Sequence, residues 1–253
     1  MRRGEREILV TVLTVSYNAE ATIARTIESV LNQSYPDIEY IVIDGASQDN
    51  TAKIARSYAE KFIVNSNQRK TITIISEPDK GMYDALNKGA RLAHGVIVGQ
   101  INADDWYEPD AVKTMAELYE REKYDLAWGS LNVITNSGNF IKHAKRGLFW
   151  STSHWCHPAA FAAREILLKY PYPLESPHDD FDFATNLFVN QKKLIPVDKV
   201  ISNFTFGGMS TQKDFHKVKK RIDEIYGIHK KYGMSRLYYL YRLGFETVKY
   251  FLT

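Results

Sequence analysis

A single cysteine, Cys156, stands in the 253 residues of this chain. One cysteine can close no internal disulfide and build no multi-cysteine zinc site, and it points to a reducing compartment. No stretch approaches the ~18 consecutive apolar residues of a membrane span. The start, Met1-Arg2-Arg3-Gly4-Glu5, is basic, but no signal-type apolar core and cleavage site follow it. Together these absences lead us to expect a cytoplasmic protein. No Gly-x-Gly-x-x-Gly follows the first β-rich run, which argues against a dinucleotide-dependent dehydrogenase. The turn after that run, Ser16-Tyr17-Asn18-Ala19-Glu20, holds neither glycine nor lysine, so the basic glycine-rich loop of a nucleotidyltransferase is missing. No nucleic-acid recognition motif accompanies the basic residues, and no nucleic-acid partner is expected. Repeats, low-complexity tracts and Pro/Gly/Ser linkers are also absent.

What is there has the composition of a soluble globular protein, with 44% apolar and 25% charged residues. The length suits one α/β domain with an appendage. The net charge of +3 hides an asymmetry. Residues 212–253 carry ten Lys/Arg against four Asp/Glu, a net of +6, so the body before them is mildly acidic. The same tail holds nine Tyr and Phe. A basic aromatic tail predicts an anionic partner or membrane surface.

Strand-like and helix-like patterns alternate through the first 135 residues. Apolar β-rich runs at 8–16, 39–43, 71–75 and 96–101 are separated by helical periodicity over 21–33, 50–58, 81–93 and 109–120, the last with Pro109 in its first turn. This rhythm predicts βαβ units and a largely parallel central sheet flanked by helices. After Tyr124 the pattern changes: a strand over 125–134 meets a turn at Asn136-Ser137-Gly138, residues 176–190 read as a loop feeding a helix, and an apolar run at 194–206 breaks at Gly207-Gly208. Two helices, 214–232 and 236–251, finish the chain.

In a parallel sheet, sites form outside the carboxyl ends of the strands. Four strand ends share that edge here: Ser16-Tyr17-Asn18, Asp44-Gly45-Ala46-Ser47, Glu77-Pro78-Asp79-Lys80-Gly81 and Asn102-Ala103-Asp104-Asp105. Tyr17 can stack on a base, Asp44 can accept from a base N–H, and Asp104 can hold a hard divalent cation on a diphosphate. Asp105 can support that loop or cap the next helix.

The segments Val12–Asn18, Ser29–Tyr35 and Ile41–Thr51, with Asn87-Lys88-Gly89 and Asn102-Ala103-Asp104-Asp105, resemble family 2 glycosyltransferases over about residues 8–210. The resemblance implies the GT-A fold and inverting transfer of a sugar from a nucleotide-diphosphate donor to an acceptor hydroxyl, usually with Mg²⁺ or Mn²⁺. It implies a catalytic domain over 1–211, split into a nucleotide-binding half (1–123) and an acceptor half (124–211), with 212–253 as a helical tail. It places Ser16, Tyr17, Asp44, Asp79, Lys88, Asn102 and Ala103 at the donor and Asp104 on the metal. Two departures stand out. Gly45 replaces a frequent second Asp, and Asn102 replaces the first Asp of the Asp-x-Asp loop, removing one charge beside the diphosphate. The second departure motivates a degenerate sugar-nucleotide-binding module as the rival reading.

Inverting transfer needs a general base for the acceptor hydroxyl. The family places it in an acidic pair opening a helix, which His178-Asp179-Asp180-Phe181-Asp182 matches, with Asp180 as base. Trp155, His157 and Asp179 mark the acceptor region, with burial in the core as the plain alternative for Trp155 and His157. Similar proteins act in bacterial polysaccharide or glycolipid assembly, which implies a glycan or lipid-linked acceptor. The tail then predicts peripheral attachment at the inner face of the membrane, or packing in a homodimer.

Overall fold

The computed structural model describes residues 7–59, 69–146, 155–205, 215–241 and 243–244, with the side chains of residues 215–217 left out. The first half alternates as its periodicity predicts. Strand β1 (Val10–Ser16) leads to α1 (Ile23–Leu31), β2 (Asp37–Asp44) to α2 (Thr51–Ser57), β3 (Arg69–Ser76) to α3 (Met82–Leu92), and β4 (Ile97–Asn102) through β5 (Trp106–Tyr107) to α4 (Ala111–Glu122). Every residue of β1 is buried, because helices cover both faces of a parallel sheet and leave no wet side. β3 lies at the sheet margin and exposes Arg69, Thr71 and Thr73. Helix α4 begins two residues later than Pro109, with Asp110 at its N-cap.

The second half adds β6 (Leu126–Thr135), β7 (Gly138–Lys142), a 3₁₀ turn at His157–Ala159, β8 (Ala160–Ala163), α5 (Arg164–Lys169), α6 (Asp179–Val189), β9 (Leu194–Thr205) and α7 (Phe215–Lys231). The hairpin at Asn136-Ser137-Gly138 forms as expected, pairing β6 with β7. The strand order is β3-β2-β1-β4-β8-β6-β9-β5, with β7 beside β6. β3, β2, β1 and β4 are mutually parallel. β8 runs antiparallel to both β4 and β6, and β9 returns parallel to β6. The sheet is therefore mixed beyond β4. Gly99 makes that junction: its cross-strand partner is Phe161, whose ring lies where a Cβ would sit, 2.4 Å from that position.

The position of β5 shows that the sheet curls. Three residues, 103–105, join β4 to β5, and four Cα steps span at most about 14 Å. In a flat sheet the four strand spacings from β4 to β5 would need about 19 Å. The sheet therefore bends round until β9 and β5 stand beside the end of β4. The core beneath it joins Leu13, Ile27, Ile43, Leu86, Ile97, Trp128 and Phe161. Helix α7, the first helix of the appendage, buries Ile222, Ile225 and Ile228. Residues 237–241 and 243–244 are helical. The expected break at Gly207-Gly208 and residues 245–253 lie outside the described residues.

Candidate active site

The carboxyl ends of β1, β2 and β3 meet in one row, with Ser16 opposite Asp44 and Asp44 opposite Ser76. The buried Asp44 carboxylate ties that row together. Its Oδ1 accepts from the hydroxyls of Ser16 (3.2 Å) and Ser47, and its Oδ2 accepts from Ser76 Oγ (2.7 Å) and the Ser47 N–H (3.0 Å). Those four donors match the roughly four acceptor sites of a carboxylate. The loops after β1 and β2 are stitched further by Asn18 N–H to Ser47 Oγ (2.8 Å) and Gln48 N–H to Asn18 Oδ1 (2.9 Å). Tyr17 stands beside them, 65% exposed, with its ring open to a ligand.

Asp79 occupies the space that Gly45 leaves. A Cβ on Gly45 would lie 2.7 Å from Asp79 Oδ2. Asp79 Oδ1 accepts from the Gly81 N–H at 2.8 Å, and Gly81 adopts φ +107°, which glycine takes without strain as it opens α3. Lys88 is turned to the same loop, with Nζ 2.8 Å from Pro78 O and 3.0 Å from Glu77 Oε1. These partners hold Lys88 as a brace between the 77–79 loop and α3. The hydrogen bond to Glu77 raises its pKa, so it stays charged. The Asn-x-Gly pattern of α3 also acquires a physical account. Asn87 pairs with both backbone groups of Tyr172 (2.9 and 3.0 Å), and Gly89 lets Leu13 approach.

The loop after β4 is held by its backbone. Asp104 O accepts from Arg25 Nη2 (2.8 Å) and Thr205 Oγ1 (3.3 Å), and Asp105 O accepts from Thr26 Oγ1 (2.6 Å). Arg25 also stacks over the Trp106 ring at 3.7 Å. The Asp105 carboxyl faces inward, fully buried, with Thr205 N–H 3.4 Å from Oδ1. Burial first, then the charge of Asp104, lifts its pKa well above the carboxylate range. It supports the loop from below and does not cap α4, whose N-cap is Asp110. Ala103 is buried between half-buried Asn102 and Asp104. Among the described residues the Asp104 carboxylate has no hydrogen bond or ion pair. Among those residues no group of three or more His, Cys, Asp or Glu gathers to cage a metal. One carboxylate and the nearby Asn102 amide oxygen are nonetheless the hard donor set that Mg²⁺ or Mn²⁺ takes when substrate phosphates and water complete the shell. The residues fit such an ion.

The acidic pair opens α6, as the sequence predicts. The two carboxylates face different surroundings. Asp179 is buried and accepts from the N–H groups of Ser176 (2.9 Å) and Glu175 (3.1 Å). Burial is the first cause raising its pKa. Asp180 is half-buried. Its Oδ1 accepts from Tyr83 OH (2.9 Å), and its Oδ2 accepts from Trp155 Nε1 (2.8 Å). Trp155 is itself buried, edge-on against Trp128. His157 is also buried, and burial lowers its pKa so that it stays neutral. Its Nε2 lies 3.0 Å from Gln100 Oε1, which also accepts from Tyr172 OH at 2.6 Å. An amide oxygen only accepts, so His157 donates. Trp155 thus joins core packing to the acidic pair, while His157 belongs to a buried network below it.

Tyr83, Gln100, Tyr172, Arg25 and Thr205 were not among the expected site residues. Tyr83 reads in sequence as part of the apolar face of α3. Its partner Asp180 lies 97 residues away, and local spacing carries no such information.

The geometry can be set beside known proteins. A mycobacterial "PGL/p-HBAD biosynthesis glycosyltransferase" from Mycobacterium tuberculosis H37Rv is 31% identical over 219 residues, covering 81% of this chain and 82% of that one. The "UDP-Glc:alpha-D-GlcNAc-diphosphoundecaprenol beta-1,3-glucosyltransferase WfgD" of Escherichia coli is 25% identical, with 92% and 91% covered. Among solved structures, the mannosyltransferase PcManGT from Pyrobaculum calidifontis, in complex with GDP-Man and Mn²⁺, superposes with a TM-score of 0.65 at 20% identity, over 89% of this chain and 64% of that one. Other relatives are far longer, and the chain spans 19% of an E. coli chondroitin synthase. The model of "Glycosyl transferase family 2" matches residues 11–184. With that match over most of its length and a curled GT-A sheet beneath it, the chain belongs to glycosyl transferase family 2.

Proposed function

We propose that this protein is a metal-assisted, inverting glycosyltransferase that uses Asp180 as general base. The observation that carries this reading is the contrast between three carboxylates: among the described residues Asp104 is unengaged at the end of β4, Asp180 keeps acceptor capacity beyond its two donors, and Asp179 is bound into its own loop. A nucleoside diphosphate lies along the β1–β4 edge. Tyr17 stacks on its base; Asp44, expected to accept from the base, has its carboxylate filled by four donors and shapes the cradle with Ser16, and Asp79 takes over the part of accepting from the base. Asn102 and Ala103 approach the ribose, and Lys88 holds the Asp79 loop in place. Asp104, with Asn102, would hold Mg²⁺ or Mn²⁺, which when bound neutralises charge on the departing diphosphate. The acceptor hydroxyl attacks the anomeric carbon from the face opposite the diphosphate. Asp180 takes the hydroxyl proton as the new bond forms and the bond to the diphosphate breaks, which inverts the configuration.

Calorimetric titration with UDP, GDP and TDP, with and without Mn²⁺, tests the donor site. The wild type should bind one of them in a metal-dependent way, and Asp104→Ala should lose that dependence. Unchanged metal-dependent affinity in the mutant would overturn the assignment.

The acceptor, in this reading, is a glycan or a lipid-linked sugar presented at the inner face of the membrane. The E. coli relative is named for a diphosphoundecaprenol-linked acceptor. None of the helices in the described residues is long and apolar enough to cross a membrane. Leu237 and Leu240 are each 58% exposed, and Tyr241 and Leu243 are exposed beside them. We place this apolar face, within a segment of net charge +6, on an anionic lipid surface.

A further inference from the structure

Resting on the reading of Asp180 as base, we propose that Tyr83 and Trp155 are positioning residues that grip the Asp180 carboxylate by both oxygens and aim it at the acceptor hydroxyl. Neither is a catalytic residue. Each fixes the direction of the group that is.

The grip has three physical parts. Tyr83 OH reaches Oδ1 at 2.9 Å and Trp155 Nε1 reaches Oδ2 at 2.8 Å. Two donors on two oxygens stop the carboxylate from rotating about its Cβ–Cγ bond. Each oxygen keeps one further acceptor site for the incoming proton.

The second part is charge. The groups facing Asp180 are Tyr83 on α3, Trp155 and His157 before β8, Tyr172 ahead of α6, and Asp179 beside it. Burial holds the Tyr83 and Tyr172 phenols protonated and His157 neutral. No Lys or Arg among the described residues pairs with Asp180. A cation there would favour the ionised form strongly and weaken the base. Neutral donors orient the carboxylate without pairing it with a charge.

The third part is that Tyr83 has a second acceptor, Pro177 O, at 3.1 Å. When Asp180 is charged, the phenol donates to it. When Asp180 has taken the acceptor's proton, the phenol can turn its own proton to Pro177 O and accept from the carboxylic acid. The grip thus serves both protonation states with no other reagent. Tyr83 also stands four residues after Asp79, on the helix that Gly81 opens, so one helix links the donor loop to the grip on the base.

The test uses the full-length protein labelled with ¹⁵N at tryptophan. Four tryptophans give four indole cross-peaks, and loss in Trp155→Phe identifies the one at issue. That peak should move with pH along a single titration and should cease to do so in Asp180→Asn. In Tyr83→Phe the midpoint should rise by about one pH unit, the worth of one hydrogen bond to a charged group. Matched circular dichroism and Tm in Tyr83→Phe separate this from unfolding. Should that variant not fold, Trp155→Phe takes its place, read by the acid limb of turnover. Turnover is followed as nucleotide release from whichever of UDP-glucose, UDP-N-acetylglucosamine and GDP-mannose the wild type hydrolyses fastest. The acid limb should shift upward, with kcat falling roughly 10-fold and donor Kd unchanged. A wild-type indole peak indifferent to pH, or an unmoved midpoint in Tyr83→Phe, overturns the grip while Asp180→Asn remains inactive. Wild-type turnover in Asp180→Asn instead overturns the base.

Discussion

Asp179 and Asp180 are chemically identical neighbours whose surroundings give them different work. Asp179 answers two backbone N–H groups of its own loop, so its loss should loosen the start of α6. Asp180 faces side chains from elsewhere and keeps open acceptor sites. Asp180→Asn should therefore cut turnover roughly 10²–10⁴-fold while leaving donor affinity nearly intact. Single-turnover kinetics beside nucleotide titration would separate these, and a dead Asp179→Asn beside an active Asp180→Asn would reverse the assignment. Gly45 poses a similar local question. Any side chain there meets Asp79, whose carboxylate is fixed on Gly81 N–H. Gly45→Asp should weaken nucleotide binding at least 10-fold by calorimetry, and pairing it with Asp79→Gly should recover part of the loss.

At the scale of elements, much was legible in the sequence and the rest was not for identifiable reasons. β1, β2 and β4 stand out because strands covered on both faces read as unbroken apolar runs. The acidic start of α6 and the β6–β7 turn carry their own local chemistry. β5 is two residues long and exists only because β9 pairs with it. β8 is Ala-Phe-Ala-Ala, with small residues that fit a crowded junction and carry no β signature of their own. α5 has six residues, too few for a period to show. The tie between α7 and α6 was equally hidden. Asp182 lies buried at the start of α6 and is met by Lys231 Nζ at 2.9 Å and Tyr232 OH at 2.5 Å. Lys231 is itself partly exposed, which screens the pair. Lys231→Met should still cost about 1–2 kcal/mol in urea unfolding, because it leaves a buried carboxylate short of a partner.

For the molecule as a whole, the tail prediction concerns place more than chemistry. Full-length protein should pellet with anionic liposomes, release as salt rises, and fail to pellet when truncated at Gly233. A full-length protein that never pellets would mean that the apolar face of residues 237–244 packs on protein instead, as in a dimer. The curl of the sheet has a separate consequence, for how the enzyme comes to be folded. The loop that carries Asp104 is braced by Thr205, about one hundred residues further along the chain. β5, which follows that loop directly, pairs with β9 across nearly the same separation. Contacts so distant in sequence close late, since the loop entropy must be overcome before they form. A ribosome that has released only the first 123 residues has therefore made a sheet edge whose β4 loop still lacks Thr205 and β9. The loop at the end of β4 is therefore completed only when β9 docks, long after the residues that form it have been made.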